Sequence, residues 1–206
     1  MEHDEAADRM REIQRIMERT TLHAVLPGMP AVVGGVLALV GAAVSYAFLR
    51  SWDFAAVLAL SVHAQVGFYA LWAAIAIAGV ALHVVATLRE LARQGLTPRT
   101  RPLRLSAYAL PPSVFVALAL TARLLADGRL DYLAPVWMMC YGTGVYAAGL
   151  FSIRLPRLLG LAFIGLGSVG LLLPHHGLLL AAIAFGGFHV VFGLIVIRRS
   201  KRSETP

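Results

Sequence analysis

FGGFHVVFGLIVIRRSKR, residues 185–202, carries one histidine through an apolar run and stops at Arg198, Arg199, Lys201 and Arg202. An apolar helix closed by a basic cluster is the signature of a segment leaving hydrocarbon on the cytoplasmic side. The rest of the chain has the same character. Of its 206 residues 59% are hydrophobic and 14% charged, with a mean hydropathy of +0.75. A soluble domain carries about 25% charged residues, so the composition belongs to the membrane class.

About 20 apolar residues cross the hydrocarbon core as a helix. Six stretches approach that length: 28–49, 66–88, 105–126, 133–152, 156–174 and 177–197. The expected fold is therefore all-α, a polytopic membrane protein with a six-transmembrane-helix bundle over residues 24–197. Loops this short make sequential helices antiparallel neighbours. Two local questions stay open. SWDFAAVLALSVHAQ, residues 51–65, either extends the second helix or lies along the outer surface. Pro111 and Pro112 either interrupt the third span or start it, and the second reading is favoured because proline suits a first helical turn.

Residues 1–23 open on acidic side chains and lack the basic start and early apolar run of a signal peptide. Met10, Ile13 and Met17 recur at helical spacing, and Arg11, Arg15 and Arg19 form a second stripe. This segment reads as a cytoplasmic amphipathic helix, lying on the inner leaflet or docking a partner. At the other end residues 198–206 form a basic tail.

The distribution of Arg and Lys sets orientation. With six spans, one side holds 15 of them: four in the N-terminal tail, five after the second span, Arg154 and Arg157, and four after the sixth. The other side has Arg50, Arg123 and Arg129 only. Both termini are expected in the cytoplasm. The net charge of +7 lies at the ends of apolar runs, in no basic domain, which favours anionic lipid headgroups and argues against nucleic acid.

Small residues at spacing four in the first span, Gly34, Ala38 and Ala42, permit close helix approach, and the glycines of the fourth to sixth spans suit helix packing better than a phosphate loop. No Gly-x-Gly-x-x-Gly, Walker or zinc-protease motif occurs, nor a Ser/His/Asp or Cys/His constellation. Cys140 reads as a packing residue. No catalytic residue and no cofactor are expected, and the chain is not expected to be an enzyme.

Three short motifs carry a resemblance: Ile13, Met17, Glu18 and Arg19 as I-x-x-x-M-E-R, then Tyr141-Gly142, then Gly186-x-x-His189-x-x-x-Gly193. In these the chain resembles a group of uncharacterised six-span proteins of the bacterial inner membrane. The resemblance carries no activity. It implies an inner-membrane location and, because members sit beside winged-helix regulators, a cytoplasmic regulator as partner and a sensory or regulatory role.

Ionisable groups within a span are costly and are candidates by default. Here they are His83 and His189, with Arg123 near an interface. The histidines fall within about 5 Å of the same depth, so they are candidates for haem ligation or proton transfer. A neutral histidine bonded to a carbonyl or to Tyr141 is the simpler reading. His189 shares one helical face with Gly186 and Gly193, which leaves room for a neighbouring helix to reach the imidazole. Outside the membrane His63, His175 and His176, with Asp53, Asp127 and Asp131, are candidate metal ligands at irregular spacing. The expected role is a non-enzymatic regulatory, sensory or complex-assembly subunit. A small transporter or channel, in homo-oligomeric form or alone, is the alternative, and a haem-binding electron carrier the third reading.

Overall fold

A computed structural model describes residues 28–95, 101–151 and 154–203. Its long elements are α1 (Gly28–Leu49), α2 (Val62–Arg93), α3 (Arg101–Ala126), α4 (Leu133–Leu150) and α5 (Arg154–Leu172). The last, α6, is a continuous run over 177–203: α-helix Gly177–Ala181, π-helix Ala182–Phe188 and α-helix His189–Ser203. Among the described residues there is no strand, and the fold is all-helical. Five helices are long and apolar enough to cross a membrane: α1, α2, α3, α5 and α6. α4 is not among them, because its 18 residues include Pro135, Trp137, Tyr141, Thr143 and Tyr146, which dilute its apolar character. The amphipathic helix expected over 1–23 lies outside the described residues.

Local chemistry sets the ends of the helices. Ser61 caps α2, its hydroxyl accepting from the Ala64 N–H at 3.4 Å. At the end of α3, Gly128 takes a left-handed φ of 65°, the Arg129 N–H donates to the Leu124 carbonyl at 2.9 Å and the Gly128 N–H to Leu125 at 3.2 Å. Those are the two bonds of a Schellman cap, and glycine adopts that φ without strain.

Between the helices, three short 3-10 turns, Phe54–Ala59, Leu130–Tyr132 and Pro174–His176, gather at one end of the bundle. The Leu178 N–H donates to the Trp52 carbonyl at 2.8 Å and ties two of these connections together. Because three alternate connections share one end, α1 to α6 run alternately up and down. Arg50, Arg123 and Arg129 accordingly lie at the turn end, whereas Arg89, Arg93, Arg104, Arg154, Arg157, Arg198 and Arg199 lie at the other.

Inside the bundle α6 packs along α1, α4 lies along α5 with α3 on its outer side, and α2 leans on α1 at the edge. Backbone contact explains these pairings. A Cβ at Gly28 would stand 2.6 Å from the Gly193 carbonyl, and one at Gly35 2.7 Å from the Gly186 carbonyl. The inward stripe of α1 is Gly28, Ala31, Gly35, Ala38 and Ala42. Gly34, expected in that seam, instead faces α2, with Gly79 at 4.0 Å. On a helix that is apolar all round, no polar stripe tells one glycine from the next.

The open local questions resolve in the structure. Phe54 and Val57, within 51–65, are buried in the core beside Phe68, Leu130 and Leu178, so Phe54–Ala59 plugs the turn end, and α2 begins at Val62. The prolines do not start the third helix: α3 runs unbroken from Arg101 through Pro111 and Pro112. Both rings are exposed and strike no neighbouring helix, and the Ser113 hydroxyl donates to the Leu110 carbonyl at 2.8 Å.

Candidate functional site

The most enclosed polar pair joins α4 to α6: Tyr141 Oη and His189 Nε2 lie 2.7 Å apart. Aromatic rings surround it. The His189 ring is 5.4 Å from that of Phe163 on α5 and stacks on Phe185 at 6.4 Å and 13°. Tyr141 in turn lies 4.9 Å from Phe163 and 5.5 Å from Phe185. The π-helical stretch ends immediately before His189, and such wide turns are concentrated at functional positions. Nδ1 is buried and forms no hydrogen bond. The tautomer sets the direction of the bond: with the proton on Nδ1, Nε2 accepts from the phenol, and with the proton on Nε2, the imidazole donates to it.

The neighbours of His189 differ from the single shared face read from its spacing. Gly186 and Gly193 abut α1, at Leu39 and Gly35 and at Gly28 and Val32, while the imidazole points to α4 and α5. Three residues and four residues along a helix are offset in opposite senses around its axis, so glycines at −3 and +4 can serve one neighbour while the residue between them serves another. The pair can hold or relay a proton. Haem ligation through Nε2 would require the phenol bond to break and the stacked Phe185 ring to withdraw.

Replacing His189 measures what this bond contributes. Hydrogen bonds between membrane helices average about 0.6 kcal/mol and rarely exceed about 1.7. His189→Gln should keep the thermal stability of the detergent-solubilised parent, and His189→Leu should lower it modestly. In a Tyr141→Phe background the leucine variant should cost less; an equal cost in both backgrounds would show that the two side chains are not coupled.

The other candidates separate. His83 is exposed on α2 and has no hydrogen-bond partner among the described residues. At the turn end, His63 and His176 are exposed, while His175 Nδ1 lies 2.7 Å from Asp53 Oδ2. Asp53 also caps its own turn, Oδ1 accepting from the Ala55 N–H at 2.8 Å. Asp131 pairs with Arg129 at 3.2 Å, and Asp127 with Arg123 at 2.8 Å. Among the described residues no three His, Cys, Asp or Glu side chains come together as a metal site.

Asp53, with a smaller contribution from the charge of Asp131, raises the His175 pKa above its ordinary 6.5. A raised folded pKa means that protonation favours the folded state. The stabilisation is complete below about pH 6.5 and is lost as pH rises through the raised value. The melting temperature should therefore fall across that window in the parent. Asp53→Asn keeps the cap on Ala55 but removes the charge, and should flatten this part of the profile. An identical profile in the variant would assign the dependence to another group.

Several polar partners had no sequence signal. The Trp72 indole donates to Ser45 Oγ at 3.1 Å, joining α2 to α1, and the Trp137 indole donates to Thr121 Oγ1 at 2.9 Å, joining α4 to α3. The Thr121 hydroxyl passes its own proton to the Ala117 carbonyl at 2.7 Å. Only a tryptophan and a hydroxyl residue at similar depth on adjacent spans hinted at such links.

Comparison with protein-family models, curated proteins and solved structures finds no match to this chain.

Proposed function

We propose that the chain is a six-span protein of a bacterial inner membrane with both ends in the cytoplasm. It acts without catalysis, as a regulatory, sensory or complex-assembly subunit, through its basic inner face. The observation that carries this reading is the segregation of arginines between the two ends of the bundle, together with the 15-to-3 asymmetry of the whole sequence. Basic residues at one face attract anionic lipids and acidic partner surfaces alike.

The sixth crossing is α4. Its 18 residues reach about 27 Å at about 1.5 Å per residue, close to the roughly 30 Å of hydrocarbon. α3, α5 and α6 flank it, and a helix that faces protein needs less apolar surface than one that faces lipid. The non-catalytic part of the reading is supported by three polar pairs within the helices that serve as helix-to-helix links: Tyr141 with His189, Trp72 with Ser45, Trp137 with Thr121. The second reading, a small transporter or channel, has α3 as one helix from Arg101 to Ala126 with Pro111 and Pro112 inside it.

Cysteine labelling tests the orientation. In a Cys140→Ala background, His176→Cys at the exposed turn should react with an impermeant maleimide on intact spheroplasts, and Ser203→Cys only after lysis. Labelling of Ser203→Cys alone would invert the topology. Deleting residues 2–20 should leave membrane content unchanged but alter the set of co-purifying proteins; an unaltered set would remove the partner role from that segment.

A further inference from the structure

The basic end of the bundle carries charge that nothing beside it balances. Arg104, Arg154, Arg198 and Arg199 are exposed there, and none has an ion-pair partner among the described residues. Arg157 is half-buried against Gly149, and its Nε is enclosed without an acceptor. Packing gathers these side chains into one face. Leu155 shares a buried cluster with Phe192 and Val196, which sets the start of α5 beside the last turns of α6. Arg157 meets the end of α4 at Gly149, and the Ser106 hydroxyl donates to the Ala148 carbonyl at 3.2 Å, which brings the start of α3 to the same place.

The chain enters the bundle within that face. A Cβ at Gly28 would stand 2.7 Å from Cγ1 of Ile197, the residue before Arg198. Upstream, residues 2–8, EHDEAAD, hold Glu2, Asp4, Glu5 and Asp8 and no Arg or Lys. The 19 residues from 9 to 27 separate this acidic stretch from Gly28, and they span about 28 Å as a helix or about 65 Å extended. Neighbouring helix axes lie about 8–10 Å apart, so every arginine of the face is within reach. A tether of this kind holds the acidic stretch near the face at an effective concentration of about millimolar.

We propose that residues 2–8 dock on the arginine face of their own bundle and screen it from anionic lipid and from acidic partners. Anionic headgroups repel the four carboxylates, whereas they attract Arg11, Arg15 and Arg19 farther along the same segment. The carboxylates therefore find their counter-charge on the bundle and not on the leaflet. Exposed ion pairs are individually weak and screened by salt, so the contact is reversible, and a dense anionic surface displaces it. The inference rests on the basic inner face proposed above and names what occupies that face at rest.

The test places spin labels at Ala6→Cys and Ser203→Cys in a Cys140→Ala background and measures their separation by pulsed electron paramagnetic resonance. The full chain is used, in uncharged detergent at low salt, and a short, narrow distance distribution is expected. Replacing Glu2 and Glu5 by Gln and Asp4 and Asp8 by Asn alters no residue of the bundle and should at least double the width. Arg154→Gln combined with Arg198→Gln and Arg199→Gln should do the same, as should 1 M salt, where the screening length falls to about 3 Å. Asp127→Asn at the far end should leave the distribution unchanged. Native mass spectrometry with added phosphatidylglycerol should find at least threefold more lipid retained by the neutralised variant than by the parent. An unchanged distribution in that variant would overturn the proposal, and so would equal lipid retention. A short distance between singly labelled chains mixed together would assign the contact to a second copy. Broadening on replacing Met10, Ile13 and Met17 by Ser, with none on neutralisation, would assign it to the leaflet. Both of these results also overturn the proposal. None of them alters the maleimide test of orientation, so failure here and failure of the basic inner face are told apart.

Discussion

Gly160→Leu should leave no stably folded protein in detergent, and Gly160→Ala should cost about 1–3 kcal/mol, the range for overpacking a close-packed interior. A Cβ at Gly160 would lie 2.6 Å from both the Gly142 carbonyl oxygen and the Tyr146 nitrogen. The contact is reciprocal, because a Cβ at Gly142 would lie 2.7 Å from the Gly160 carbonyl. These neighbours are backbone atoms, so no side chain can rotate aside and the helices themselves must part. Separating α4 from α5 would also displace Phe163 and Tyr141 from the enclosure around His189. Gly165→Ala and Gly187→Ala are the controls, since a Cβ at either position meets nothing within 4 Å. Melting followed by circular dichroism reads the series. An unchanged melting temperature for Gly160→Ala would mean that the backbones do not touch as described.

Phe163→Ala should be the most damaging truncation in the core, at about 3–5 kcal/mol. The side chain is fully buried, at 0% exposure. Its ring lies 4.9 Å from Tyr141, 5.1 Å from Phe185, 5.4 Å from His189 and 5.6 Å from Phe188. Removing it withdraws dispersion contacts from four rings at once, and the seams on either side leave α4 and α6 little freedom to collapse into the space. Phe163→Leu refills part of the volume and should cost clearly less. Phe185→Ala, at a half-buried ring, should fall between the two. A Phe163→Ala protein that melts with the parent would show that the cluster relaxes freely and holds nothing in place.

The His189 site was legible in part. An imidazole in an apolar run between two glycines identified the residue, and Tyr141 was one of the partners that could satisfy it. Its direction was not legible. That depended on which helix received the glycines, and spacing within one helix cannot name the neighbour. The π-helical stretch Ala182–Phe188 left no mark beyond two adjacent glycines. It changes the hydrogen-bond register of the backbone, and side-chain pattern does not record that register. The link between His175 and Asp53 joins residues 122 positions apart, and only the meeting of two turns creates it.

The chain's all-helical character, the apolar stretches and the segregation of basic residues were determined along the sequence. Helix formation satisfies the backbone within each segment, and charge avoids hydrocarbon wherever it occurs, so both effects are local and additive. α1 occupies the same residues, 28–49, as the first apolar run for that reason. What tertiary structure decided is everything that depends on a second helix: Gly35 in place of Gly34 in the seam with α6, the burial of Phe54 and Val57 at the turn end, and the exposure of His83 on α2 while His189 is enclosed between α4 and α5. Lipid is as apolar as leucine, so hydrophobicity does not choose between a lipid and a protein neighbour. That choice falls to shape and to the few hydrogen bonds between helices, which exist only once the helices have met.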